Sequence, residues 1–182
     1  MFCLLSTAFT PLVLPVMAKN KADLANIQVS QARGNLEVSF DIQNCFTPNM
    51  EEAIRSGVRT TFRIFVVLEK PGFSLLQSKV LDLVLEHSVK FDHLKNEYRV
   101  QLPEYPERVR VTKDFEEARR WMSDVKELPV IPLWRLKKDQ KYQLSLKAEL
   151  SKVQLPFFLR YIFFFVSLWD FETDWHKVTF SF

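Results

Sequence analysis

Glycine is nearly missing from this sequence: 182 residues contain three, Gly34, Gly57 and Gly72. Each falls where a turn or a helix end is expected, so none is left for a glycine-rich phosphate loop, and a collagen-like chain is excluded. Cysteine is as sparse, with only Cys3 and Cys45, which excludes a disulfide-stapled scaffold. Charge of one sign is lacking too. The net charge is +3, and the basic residues alternate with Asp and Glu instead of forming the stripe that nucleic acid requires. The densest basic group, Arg135, Lys137, Lys138 and Lys141, encloses Asp139 and is flanked by Trp134 and Tyr142; it reads as a solvated turn. Gly-x-Ser-x-Gly and His-Glu-x-x-His are absent, so no catalytic residue, cofactor or metal site is expected and the chain does not read as an enzyme.

What is present is an ordinary globular balance, 47% hydrophobic and 26% charged, with bulk supplied by 17 Phe. Disorder is excluded, and the length suits one domain with a sizeable core. The opening MFCLLSTAFTPLVLPVMAKN carries no charge before Lys19 and closes on Val16-Met17-Ala18. Small residues at these spacings predict a signal peptide over residues 1–18, cleaved after Ala18, and a single exported β domain over 19–182. Two prolines and a short span make it a poor permanent membrane helix, although anchoring is the alternative. The basic residue that should begin a signal peptide is missing, which a start upstream of Met1 would supply. Cys45 is then alone in an oxidising compartment, either a buried apolar residue beside Phe46 or an intermolecular link.

The body reads as antiparallel strands. ANIQVSQ (25–31) and NLEVSFDIQ (35–43) alternate apolar and polar residues around Ala32-Arg33-Gly34, which predicts a hairpin with one wet face. TPNMEEAIRSG (47–57) has Thr47 before Pro48, acids in the opening turns and Gly57 past the end, a short helix. VRTTFRIFVVLE (58–69) reads as a long strand, 79–93 as a second, and Tyr98, Val100 and Leu102 return from it. Phe115, Ala118, Met122 and Val125 sit at helical spacing within 113–125, with Asp114 and Glu117 matching a capping box. YQLSLKAEL (142–150) and the closing WHKVTFSF alternate again. The expected fold is mainly β, an antiparallel two-sheet sandwich with two short helices at 47–57 and 113–125.

The histidines make weak sites. His87 and His93 share the apolar side of one predicted strand, but six residues of strand separate them by about 20 Å, too far to share a metal. His176 has Asp170, Glu172 and Asp174 nearby in sequence, which a polar turn between strands explains better than a cation mouth does. Glu51-Glu52 and Glu116-Glu117 fall on predicted helix surfaces, where solvation leaves carboxylates ordinary.

The most aromatic stretch, FFLRYIFFFVSLWDF (157–171), is broken by Arg160, leaving nine uncharged residues from Tyr161 to Trp169, too few to span a bilayer as a helix. As a strand it is apolar on both faces, one for the core and the other for a helix, a partner or a bilayer. Phe157, Phe158, Tyr161, Phe163, Phe165, Trp169 and Trp175 are therefore the candidate contact surface. Trp134, Tyr161, Trp169 and Trp175 are the rings suited to a lipid headgroup boundary. An exported chain ending Val178-x-Phe180-x-Phe182 also imitates the last strand of a small outer-membrane barrel, for which about eight strands suffice.

The order Ala53-Ile54-Arg55-Ser56-Gly57, a long strand, Phe91-Asp92-His93-Leu94 leading to Tyr98-Arg99-Val100, a Phe115 to Ala118 helix, a Tyr142 to Ala148 strand, Leu155-Pro156 and a Trp-rich end resembles an uncharacterised family of exported bacterial proteins, a domain of unknown function. The resemblance implies a bacterial envelope setting, often beside the gene of a membrane sensor histidine kinase, and no catalytic residues. The expected function is a periplasmic, non-catalytic interaction module for an envelope protein, linked to membrane signalling and capable of membrane-surface contact, with no nucleic acid. The alternative is a carrier of an apolar small molecule or lipid in a pocket between the sheets.

Overall fold

A computed structural model describes residues 21–71, 78–151 and 171–182. The proposed signal peptide, and Phe157, Phe158, Tyr161, Phe163, Phe165 and Trp169 of the contact surface, lie outside the described residues.

Strands β1 (Asp23–Ala32) and β2 (Asn35–Gln43) form the expected hairpin. Ala32 pairs with Asn35, so the turn is the two residues Arg33 and Gly34, both at positive φ (50° and 76°), the twist that a tight hairpin favours. Helix α1 (Pro48–Arg55) starts where Thr47 Oγ1 accepts the Met50 N–H at 3.2 Å. It stops in a Schellman motif: the Gly57 N–H donates to Ile54 O and the Val58 N–H to Ala53 O, both at 2.9 Å, with Gly57 at φ +85°.

Strands β3 (Thr60–Lys70), β4 (Ser78–Asp92) and β5 (Glu97–Gln101) form a meander, followed by the short β6 (Val109–Thr112). Helix α2 (Phe115–Ser123) then runs directly into β7 (Asp124–Pro132), and β8 (Lys141–Leu150) and β9 (His176–Ser181) complete the described chain. Asp114 caps α2 by accepting the Glu116 N–H at 3.0 Å. The expected capping box is only half made. Thr112 Oγ1 takes the Asp114 N–H and itself donates to Glu117 Oε2 at 2.5 Å, so the carboxylate that should reach back finds its donor occupied.

Two antiparallel sheets result, one ordered β1-β2-β7 and the other β6-β5-β4-β3-β8-β9. Alternation decides their inner faces. Leu36, Val38, Phe40 and Ile42 of β2, Phe62, Ile64, Val66 and Leu68 of β3, and Tyr142, Leu144, Leu146 and Ala148 of β8 are all buried. Met50, Ala53 and Ile54 of α1 and Phe115, Ala118 and Met122 of α2 join the same core. An aromatic chain binds helices to the large sheet, with ring centroids 5.1 Å apart for Phe46 and Phe62, 6.2 Å for Phe46 and Phe115, and 4.8 Å for Phe62 and Phe171. The barrel alternative fails on this topology: among the described residues neither sheet closes on itself, and the apolar faces point into a shared core. Among the same residues no helix is long and apolar enough to cross a membrane.

Gly57 is the glycine whose freedom the fold uses most. A Cβ there would lie 3.2 Å from His93 Nε2 on a backbone that L residues rarely adopt. We expect Gly57→Ala to lower unfolding stability by about 1 kcal/mol or more, read by urea denaturation; an unchanged midpoint would contradict the assigned cap.

Candidate contact surface

The outer face of the large sheet should be polar, but β3 places Phe65 and Val67 there. In register, Phe65 lies between Val84 of β4 and Lys147 of β8, and Trp175 precedes the β9 residue that pairs with Leu146. The row therefore reads Val84, Phe65, Lys147, Trp175 across four strands. The Phe65 and Trp175 centroids are 6.2 Å apart, and Lys147 Nζ lies 5.8 Å from each, a geometry that favours the cation over both rings. Lys147 also pairs with Glu172 and, at 3.6 Å, with Glu149; the Glu172 hydrogen bond leads in holding its ammonium above the ordinary lysine range.

One row along, Asp82, Val67, Ser145 and Lys177 stand side by side. With Glu69 and Lys79 they line an open groove of about 470 Å³. Lys79 pairs with Asp82 at 2.5 Å. On the other flank Arg63 lies 5.0 Å over the Phe65 ring and bonds Glu149 at 3.1 Å. Val84 and Trp175 remain 42% and 46% exposed, so the floor is an apolar strip within a rim of both signs. Trp175 was predicted for such a surface. Phe65, Val67 and Val84 were not, although apolar residues at the odd, outward positions of β3 were the available signal.

A second constellation lies inside. His87 is fully buried; its Nδ1 lies 3.0 Å from Met122 O and its Nε2 2.8 Å from Glu104 Oε1. A carbonyl only accepts, so Nδ1 carries hydrogen and donates to Met122, one of the orphan carbonyls at the end of α2. The opposite ring nitrogen and the carboxyl group then share one proton. Glu104 Oε2 is buried with no partner among the described residues. Glu104 was missed because Pro103-Glu104-Tyr105-Pro106 reads only as a loop.

The remaining sites dissolve into ordinary contacts. The β4 strand ends at Asp92, so His93 is not on its apolar face; it is an exposed turn residue, edge-on to Phe91 at 5.0 Å. His176 is exposed, while Asp174 pairs with Lys21 and Glu172 with Lys147. Among the described residues, no three His, Cys, Asp or Glu side chains converge for a metal. Cys45 lies at the wall of a cavity of about 350 Å³ beside Arg119 and Ser123, is 3% exposed, and burial pushes its thiol up to about 12. It is a core residue, as its place next to Phe46 implied.

Compared with known proteins, residues 19–179 match the family described as Domain of unknown function (DUF4390). No curated protein and no solved structure matches the chain.

Two outcomes are expected. Glu104→Leu, which strands His87 Nε2 in the core, should cost about 1–3 kcal/mol of unfolding stability, whereas Glu104→Gln, able to donate to Nε2, should cost less than ~1 kcal/mol. Equal losses would mean that Glu104 serves by packing alone. In a Cys3→Ser background, Cys45 should give no reaction with a thiol reagent at neutral pH until denaturant is added, because a thiol held near 12 is protonated.

Proposed function

Because the chain belongs to the family described as Domain of unknown function (DUF4390), a description that carries no reaction, we propose its role from the chain itself: a non-catalytic interaction module of the bacterial envelope, exported by way of residues 1–18. Its partner is the extracytoplasmic part of an envelope membrane protein, a sensor histidine kinase being the one that the resemblance read from the sequence implies.

The observation that carries this reading is the open groove floored by Phe65, Val67, Val84 and Trp175. Exposed apolar strips of this kind mark association sites. The rim holds Glu69 and Asp82 against Lys79 and Lys177, so its signs cancel. That balance matches a protein surface of mixed charge better than a polyanion. The Phe65, Lys147 and Trp175 row supplies two large rings, of which the half-exposed Trp175 is of the residue type that interface hot spots favour.

The carrier reading moves to this groove, since a volume of about 470 Å³ lies in the range of small-molecule pockets. Between the sheets the inward side chains of β2, β3 and β8 are buried.

The experiment is photocrosslinking from position 84 in the exported chain, with position 111 on β6 as an equally exposed control, against a co-expressed sensor kinase. A crosslink to that kinase from 84 and not from 111 is expected. Trp175→Ala should weaken the complex about 30-fold, the cost of losing a hot-spot ring. Equal yields from both positions, or an apolar small molecule retained by the native protein and released by Trp175→Ala, would overturn the reading. Mass spectrometry of the mature amino terminus checks export, with Lys19 as the expected first residue.

A further inference from the structure

A different surface, at one end of the sandwich, carries an inference that does not rest on the groove. The connection from β7 to β8, residues 133–140, passes from the small sheet to the large one. At its start the Leu133 N–H donates to Gly34 O at 2.9 Å, which places it beside the Arg33-Gly34 turn. At its far side the Phe182 N–H donates to Gln140 O, and Lys141 pairs with Ser181. Gln143 pairs with Glu69, so Lys70, at the end of β3, belongs to the same end of the molecule.

The connection is anchored. Leu133 packs against the core and Leu136 is buried; the Leu136 N–H donates to Leu133 O at 2.9 Å, and the Lys137 N–H to the hydroxyl of buried Tyr142 at 2.9 Å. One side of this single turn faces in. The other presents Trp134, 82% exposed, with Arg135, Lys137, Lys138 and Lys141 exposed around it. None of these cations, nor Lys70, has a carboxylate within ion-pair distance among the described residues. Asp139 is the one acid in the connection.

A single exposed indole needs no cover by itself, but one set among cations that have no carboxylate partner among the described residues favours an anionic cover. Tryptophan ringed by Lys and Arg is the composition that seats at the boundary between headgroup and acyl chain, the ring partly buried and the cations among the phosphates. We infer that this end of the domain is a docking surface for an anionic lipid bilayer. Nucleic acid fits less well, because a single protruding indole on a tight turn offers no groove along which a backbone could run.

The test is vesicle flotation of the full chain with equimolar phosphatidylcholine and phosphatidylglycerol, against phosphatidylcholine alone. The altered residues are exposed, and thermal unfolding of each variant verifies that it folds. Binding is expected on the anionic vesicles, falling with salt. Lys137→Ala with Lys138→Ala should lower it about 25-fold, fivefold for each lost charge. Trp134→Ser should lower it about tenfold, and Val84→Glu in the groove should leave it unchanged. Equal binding to neutral vesicles, or binding that survives both turn variants, would overturn the assignment. So would retention of a duplex oligonucleotide, sensitive to the same variants, without flotation.

Discussion

The fold turns on one buried proton. His87 sits at the middle of the six-stranded sheet, donates to the last turn of α2 and meets Glu104 from the loop between β5 and β6. Helix α2 runs straight into β7, the strand that completes the small sheet, so this ring ties the large sheet to the joint through which the chain enters the other. A buried imidazole and carboxyl contribute little net energy as a pair, but either alone would be stranded in an apolar core at several times that cost. The arrangement therefore specifies which loop closes over which strand more than it adds stability.

Strand β3 explains why a surface exists at all. Its inward residues, Phe62, Ile64, Val66 and Leu68, are core, and its neighbours β4 and β8 cover both its edges. Its outward residues had no such obligation, yet Phe65 and Val67 are apolar. On a sheet face the groups directly opposite interact most, and here these are Val84 and Lys147 with Trp175 beyond. The ion pairs around them, Arg63 with Glu149 and Lys147 with Glu172, hold both cations over the Phe65 ring, so Val84 and Trp175 carry the exposed part of the strip.

Much of this was legible in the sequence where one physical rule acted alone. Alternation marked β1, β2, β4, β5, β8 and β9, β-branched and aromatic composition marked β3, and caps and apolar spacing marked both helices. Strands β6 and β7 were not legible. The first is four residues long. The second carries Pro129 and Pro132 and shifts register twice against β2, which its place at a sheet edge tolerates but which erases the period of two. The strip was half legible: Trp175 stood out by composition, but Phe65 needed the register to gain its neighbours. Glu104 gave no local signal, because its partner is distant in sequence and the reason for its burial belongs to His87.

The two surfaces constrain each other through the strands that separate them. Lys141 lies at the cationic end and Lys147 in the Val84, Phe65 and Trp175 row at the far side of the groove, six residues along the same strand, a rise of about 20 Å. A domain seated on phosphates by Trp134 and its cations would stand with its strands rising from the bilayer and the groove opening sideways. At that height the neighbour is not lipid, and a transmembrane helix is out of reach. On the proposed reading the chemistry met there would be the folded extracytoplasmic part of a membrane protein, whose mixed charges a neutral rim around an aromatic floor would suit. Docking at one end would also confine both molecules to one plane, raising their effective concentration without any added contact, so a strip of this modest size could hold a partner that it would release in free solution.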